Sequence, residues 1–153
     1  MDTFPHFNRV AETELDWFEA LINLARYLRT PEGCPWDREQ SSGDFAGYAK
    51  GEVEELVAAI ESGDNAHIAE EFGDAFFTLL ATAAAAEEEG RFKLVDVLTI
   101  THEKMIRRHE HVFGDVTAET AEDAVLAWEE AKRKEREGDS GLRGRAEPNR
   151  RGG

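Results

Sequence analysis

An all-α antiparallel helix bundle, a four-helix core with one further C-terminal helix, is the fold class this sequence predicts. Three observations predict it. All four prolines (Pro5, Pro31, Pro35 and Pro148) lie outside residues 36–147, so that long segment lacks the strongest helix breaker. Apolar residues through it recur at three- and four-residue spacing, the mark of one helical face. No stretch alternates apolar and polar residues as a half-buried strand would, and no internal repeat is seen.

The first helix is expected over 13–29, where Leu15, Phe18, Leu21, Ile22, Ala25 and Leu28 share a face and Pro31 and Gly33 end the run. "TPEGCPWDREQSSGD" (30–44) reads as a loop, with Asp44 capping a second helix that extends to 61. That helix uses Phe45, Tyr48, Val53, Leu56, Val57 and Ile60. "SGDN" (62–65) breaks the chain, with Gly63 suited to a left-handed C-cap and Asp64 or Asn65 to an N-cap. A long third helix covers 66–89, with Ile68, Phe72, Phe76, Leu79 and Leu80 as its stripe and Gly90 after it. The run "ATAAAA" (81–86), in line with Ala75 and Thr78, narrows one side of this helix and lets a neighbour approach closely. A fourth helix spans 94–108 and a fifth 120–137. The expected organisation is an N-terminal extension (1–12), one helical domain (13–137) and a disordered tail (138–153) with almost no apolar content.

A chain of 153 residues is long enough for one domain with its own core. Its 18 basic and 33 acidic residues give a net charge of −15, which argues against nucleic-acid polymers and anionic membranes as partners. Cys34 is the single cysteine, so no intramolecular disulfide forms and a reducing compartment is expected. The N-terminus lacks the charged and apolar regions of a signal peptide, and no apolar run approaches the ~20 residues of a membrane span. A cytoplasmic location is expected.

The acids of "KGEVEELVAAIESGDNAHIAEEFGDAFF" (50–77) carry the functional argument. With "SGDN" as the turn of an antiparallel helical pair, Glu55 lies eight residues before Gly63 and Glu71 eight after it; Glu52 and Asp74 lie eleven before and eleven after. Glu55 should then face Glu71, and Glu52 face Asp74, as a square of four carboxylates. Val53, Leu56, Phe72 and Phe76 beside them in sequence put the square at the edge of the core. Two charges about 5 Å apart repel by roughly 3 kcal/mol at an effective dielectric near 20, so several such pairs call for protonation or a cation. An all-oxygen cage suits Mg²⁺ first and Mn²⁺ second, and suits zinc poorly because no histidine or cysteine joins the four. A solvated acidic helix face is the competing reading of the same residues.

"CPWDREQ" (34–40), "EEFGD" (70–74), "EEEGRF" (87–92) and "KMIRRHEHVFGD" (104–115), in this order, resemble a MazG-type nucleoside triphosphate pyrophosphohydrolase. The likeness covers about residues 15–135. It implies an all-α NTP pyrophosphatase bundle working as a homodimer or homotetramer. It also implies Mg²⁺-dependent hydrolysis of a (deoxy)nucleoside triphosphate to the monophosphate and pyrophosphate, in nucleotide-pool house-cleaning. The family's metal pattern is Glu-Glu-x-x-Glu followed by Glu-x-x-Asp. Glu52 and Glu55 match the last two acids of the first part, and Glu71 and Asp74 match the second. These four are the expected metal ligands and catalytic carboxylates, with the general base left open. Gly51 stands where the first family glutamate would be. That departure keeps a non-catalytic nucleotide-binding module as the alternative.

Phosphate needs local positive charge. Lys104 and Arg108, four apart on one helical face, match the family's basic pair, although basic residues near a helix C-terminus also favour its dipole. Trp36 lies in a loop able to cover a pocket, and Trp128 resembles a tryptophan of the family's C-terminal helix; each is a base-contact candidate or plain packing. Asp37 and Gln40 either read base edges or close the loop. His109 and His111 sit past the fourth helix and read as structural. A ferritin-like di-iron site is disfavoured because it wants Glu-x-x-His pairs on bundle helices.

Overall fold

The computed structural model describes residues 11–143, and side chains to residue 139. The expectations for 1–10 and 144–153 lie outside the described residues. Seven helices and no strand occur among those described: α1 (Glu14–Leu28), α2 (Pro35–Glu39), α3 (Ser42–Ser62), α4 (Asn65–Glu88), α5 (Leu94–Arg108), α6 (Glu110–Phe113) and α7 (Ala121–Arg143). The all-α class is thus observed. None of these helices is long and apolar enough to cross a membrane.

Local chemistry accounts for the helix ends. Thr13 caps α1 in a reciprocal box: its Oγ1 accepts from the Asp16 N–H at 3.3 Å, and Asp16 Oδ2 accepts from the Thr13 N–H at 2.9 Å. The same device opens α3, but its cap is Ser41 rather than the expected Asp44. Asp44 sits one turn in and accepts from Ser41 N–H and Oγ–H, which lowers its carboxyl below the usual value. Gly63 ends α3 in the left-handed region at φ 76°, a conformation with little cost only for glycine, and Asp64 then caps α4.

The segment 30–44 is not all loop. Pro35, at the first helical position, starts the short α2, where a missing N–H costs nothing. Arg29 anchors this element: its buried guanidinium donates to the carbonyls of Asp37 (2.6 Å) and Gln40 (2.9 Å) and pairs with Glu88 at 2.8 Å. Gly33 is required beneath, since a Cβ there would collide with the Tyr27 and Leu28 carbonyl oxygens. The fifth predicted helix also runs further than expected. α7 continues to Arg143, so the expected boundary after 137 falls inside a helix. Ion pairs of Arg133 with Glu130 and Glu137 add local support along α7 beside the buried Ala131.

The chain divides into two units, one up to Asp96 and one from Val97. In the first, α3 and α4 form the antiparallel hairpin, and α4 also packs on α1. Two small cores result. Ile22 and Ala25 of α1 meet Leu80 and Ala84 of α4, with Phe18, Phe76, Phe77 and Leu94 around them. Phe45 of α3 meets Ala81 and Ala85 on the other side of α4. The alanine run therefore does what its size allows, letting α4 be approached closely from two directions. In the second unit α6 packs on α7.

Candidate metal centre

The hairpin brings acids together where the register predicts. One oxygen each from Glu52, Glu55 and Glu71 lie within 4.8 Å of one another. Ala59, one turn from Glu55 towards the bend, and Ala75, one turn from Glu71 away from it, are both buried, so small residues flank the glutamate level on each side. Burial is graded across the group: Glu71 is buried at 8% exposure, Glu52 is half-buried and Glu55 is exposed. Partial loss of water, followed by the like charges of Glu55, Asp74 and Glu71, raises the Glu52 carboxyl above its usual value.

The expected square is a triangle with a neighbour. Asp74 is exposed and outside the tight group, although its charge reaches Glu52. Its arm is one methylene shorter than that of Glu52, which lies equally far from the hairpin bend and does reach the group. The apolar residues expected to place the acids at the core edge do so only in part. Leu56 and Phe76 are half-buried, while Val53 and Phe72 are 45% and 60% exposed.

No histidine is among the converging ligand atoms, but one stands against Glu71. His67 Nε2 lies 2.9 Å from Glu71 Oε1, with the two residues four apart on one face of α4. The spacing was visible in the sequence, and burial of the carboxylate gives it weight. Glu71 Oε2 is buried and has no hydrogen-bond partner. A buried, orphaned carboxylate oxygen beside two further carboxylates is an uncompensated arrangement, and a hard cation with oxygen ligands compensates it. The donor set therefore fits a divalent ion. Near the position of Gly51 nothing lies within 4 Å of where a Cβ would be, so the space is open. Glu54 does not fill it, being exposed and paired with Lys50 at 3.7 Å.

The remaining candidates fall in two places. Trp36 and Asp37 lie on α2 in the same unit as the acids. Trp36 is 52% exposed, tilted against Tyr48 with ring centroids 5.6 Å apart and edge-on to Phe45 at 6.0 Å. Tyr48 donates its hydroxyl to Gln40 Oε1 at 3.2 Å, so Gln40 closes this loop. Lys104, Arg108 and Trp128 belong to the second unit. Arg108 lies over the Trp128 ring, 5.4 Å from its centroid, and pairs with Glu135 at 2.9 Å. Arg107 shares that glutamate at 3.2 Å, and the hydrogen bond from Arg108 is the main cause that holds Glu135 below its usual value. A guanidinium has five donors, so Arg108 keeps capacity beyond the two that Glu135 accepts. His109 contacts Trp128 edge-on at 5.0 Å, and its Nδ1 is 2.6 Å from the Met105 carbonyl oxygen.

Residues 40–113 match the model of the MazG nucleotide pyrophosphohydrolase domain. The chain belongs to the MazG family. It is 37% identical over 123 residues to the nucleoside triphosphate pyrophosphohydrolase of Escherichia coli (strain K12), covering 80% of this chain and 47% of that protein. To the nucleoside triphosphate pyrophosphohydrolase/pyrophosphatase MazG of Thermotoga maritima it is 38% identical over 119 residues, or 78% of this chain and 45% of that one. This MazG chain thus spans less than half the length of those curated relatives. A crystal structure of a mazG-related protein from Thermotoga maritima superposes with a TM-score of 0.65 at 29% identity, covering 75% of this chain and 98% of that chain. The MazG match contains the four candidate acids Glu52, Glu55, Glu71 and Asp74 together with Lys104 and Arg108. Trp36, Asp37 and Trp128 fall outside it.

Proposed function

We propose that this chain is a Mg²⁺-dependent nucleoside triphosphate pyrophosphohydrolase, releasing pyrophosphate from a canonical or modified (deoxy)nucleoside triphosphate in nucleotide-pool house-cleaning. One observation carries the reading: the buried Glu71, with one oxygen orphaned, stands among like-charged neighbours in a hairpin of the MazG family. Glu52, Glu55 and Glu71 would hold the ion, with Asp74 as the further ligand beside them. When bound, Mg²⁺ or Mn²⁺ neutralises phosphate charge and acidifies a water. Lys104 and Arg108 supply positive charge to the triphosphate, and Trp128 holds the Arg108 guanidinium by its ring face. Trp36, whose face is half open to solvent, offers a stacking surface for the base, with Asp37 beside it.

The acting form is a homodimer or homotetramer in the cytoplasm. Its support is apolar surface that one copy leaves uncovered: Val57, Ile60 and Leu79 are more than half exposed, and a groove of about 680 Å³ is lined by Trp17, Phe18, Phe72 and Phe76. The test is a panel of nucleoside triphosphates incubated with the full chain and Mg²⁺ or Mn²⁺, with products identified. Pyrophosphate from at least one is expected; none from any of them overturns the proposal. Gly51 favours a second reading, a nucleotide-binding module without turnover. It predicts tight triphosphate binding in the same panel with no product.

A further inference from the structure

We infer that His67 is a positioning residue for the metal carboxylate Glu71, an inference that rests on the metal reading above. An ionised carboxylate only accepts hydrogen bonds, so at 2.9 Å the His67 Nε2–H donates to Glu71 Oε1. That bond occupies one oxygen and turns the other, Oε2, to be the one left buried without a partner. Two roles are thereby separated on one side chain: Oε1 is held by the protein and Oε2 is kept for the ion. A glutamate has three side-chain torsions, and one hydrogen bond from the preceding turn removes much of that freedom. Groups behind metal ligands act in this way, fixing the ligand's orientation before the ion arrives.

The geometry also explains why His67 is not itself a ligand. Glu52, Glu55 and Glu71 form the group whose oxygens converge, and His67 stands outside it, behind Glu71. Its side chain is 49% exposed, against 11% for that of Glu71, so it closes the outer flank of the carboxylate.

The experiment uses the full chain and Mn²⁺ alone, followed by the paramagnetic resonance of the free ion. His67→Ala removes the donor, and His67→Gln keeps an N–H at the same i, i+4 reach. Wild type should bind Mn²⁺, His67→Ala should bind it about tenfold more weakly, and His67→Gln should recover most of the loss. In turnover, His67→Ala should be rescued in part by raised Mn²⁺, with the triphosphate KM little changed. Equal Mn²⁺ affinity in wild type and His67→Ala overturns the inference while leaving the metal centre standing. Equal weakening in His67→Ala and His67→Gln overturns it too, since the imidazole would then be a ligand. No Mn²⁺ binding by wild type brings down the metal centre and this inference together.

Discussion

Replacing Glu71 by glutamine exchanges one oxygen for nitrogen and removes one charge, and the carboxylate group predicts two opposite consequences. Like charges 4.8 Å apart repel by about 3 kcal/mol at an effective dielectric near 20. Water reaches Glu55 and part of Glu52, which brings each pair nearer the ~1 kcal/mol of exposed pairs. Two pairs vanish with the Glu71 charge, so the metal-free protein should gain about 1–2 kcal/mol. For a chain of this size that is a rise in Tm of about 4 °C. The new amide keeps an acceptor for His67 and turns the orphaned oxygen into a donor toward the remaining carboxylates. With metal the order reverses. A ligand at a hundred times its Kd stabilises the wild type by about 2.7 kcal/mol, and the variant should gain nothing. Thermal melts of both proteins in EDTA and in excess Mg²⁺ or Mn²⁺ read both effects. A lower metal-free Tm for Glu71→Gln, or equal stabilisation of both proteins by metal, would refute the reasoning.

Three further outcomes are expected. Glu89 accepts from the Ser42 N–H and hydroxyl and from Arg91, which lowers its carboxyl from 4.5 to about 2. A depressed folded value means stability that is present above about 4.5 and lost as pH falls toward 2. Glu89→Gln should therefore flatten the acid limb of a urea-stability profile between those values; an unchanged limb would remove Glu89 from the account. Arg29→Ala leaves the Asp37 and Gln40 carbonyls without their donor, costs about 2–3 kcal/mol and changes the emission of the tryptophans through Trp36. Unchanged melting and fluorescence would show that α2 does not depend on it. Gly63→Ala forces a β-carbon into positive φ and should destabilise by about 1 kcal/mol in urea melts, whereas a neutral or stabilising result would mean the turn relaxes.

Much of this fold is legible in the sequence because its helices carry their own signals. Residues 94–108 read as a helix and are one, and the Gly63–Asp64 turn has the cap and stop that its residues demand. What escaped has local causes too. The short α2 and α6 are too brief for any periodicity, although Pro35 marks the first position of α2. Ser41 was hidden behind Asp44 because both belong to one capping box, and only the hydrogen bonds say which residue is the cap. At the site, helical arithmetic found the pairing of Glu55 with Glu71 but could not grade burial. Whether Glu71 or Glu55 loses its water depends on how the helices pack, and the burial of Glu71 is what gives His67 its weight.

The alanine run of α4 has a consequence for how the chain can change. Ala81 and Ala85 serve one core and Ala84 the other, and Ala85 and Ala86 show at most 1% of their surface. Thickening that stretch by a single branched residue would wedge both flanking helices off the same rod. Glu71 rides on that rod about 21 Å away. The backbone that carries Glu71 is therefore packed along much of its length, and innovation in what the protein accepts has freer room on the elements around α4 than along it.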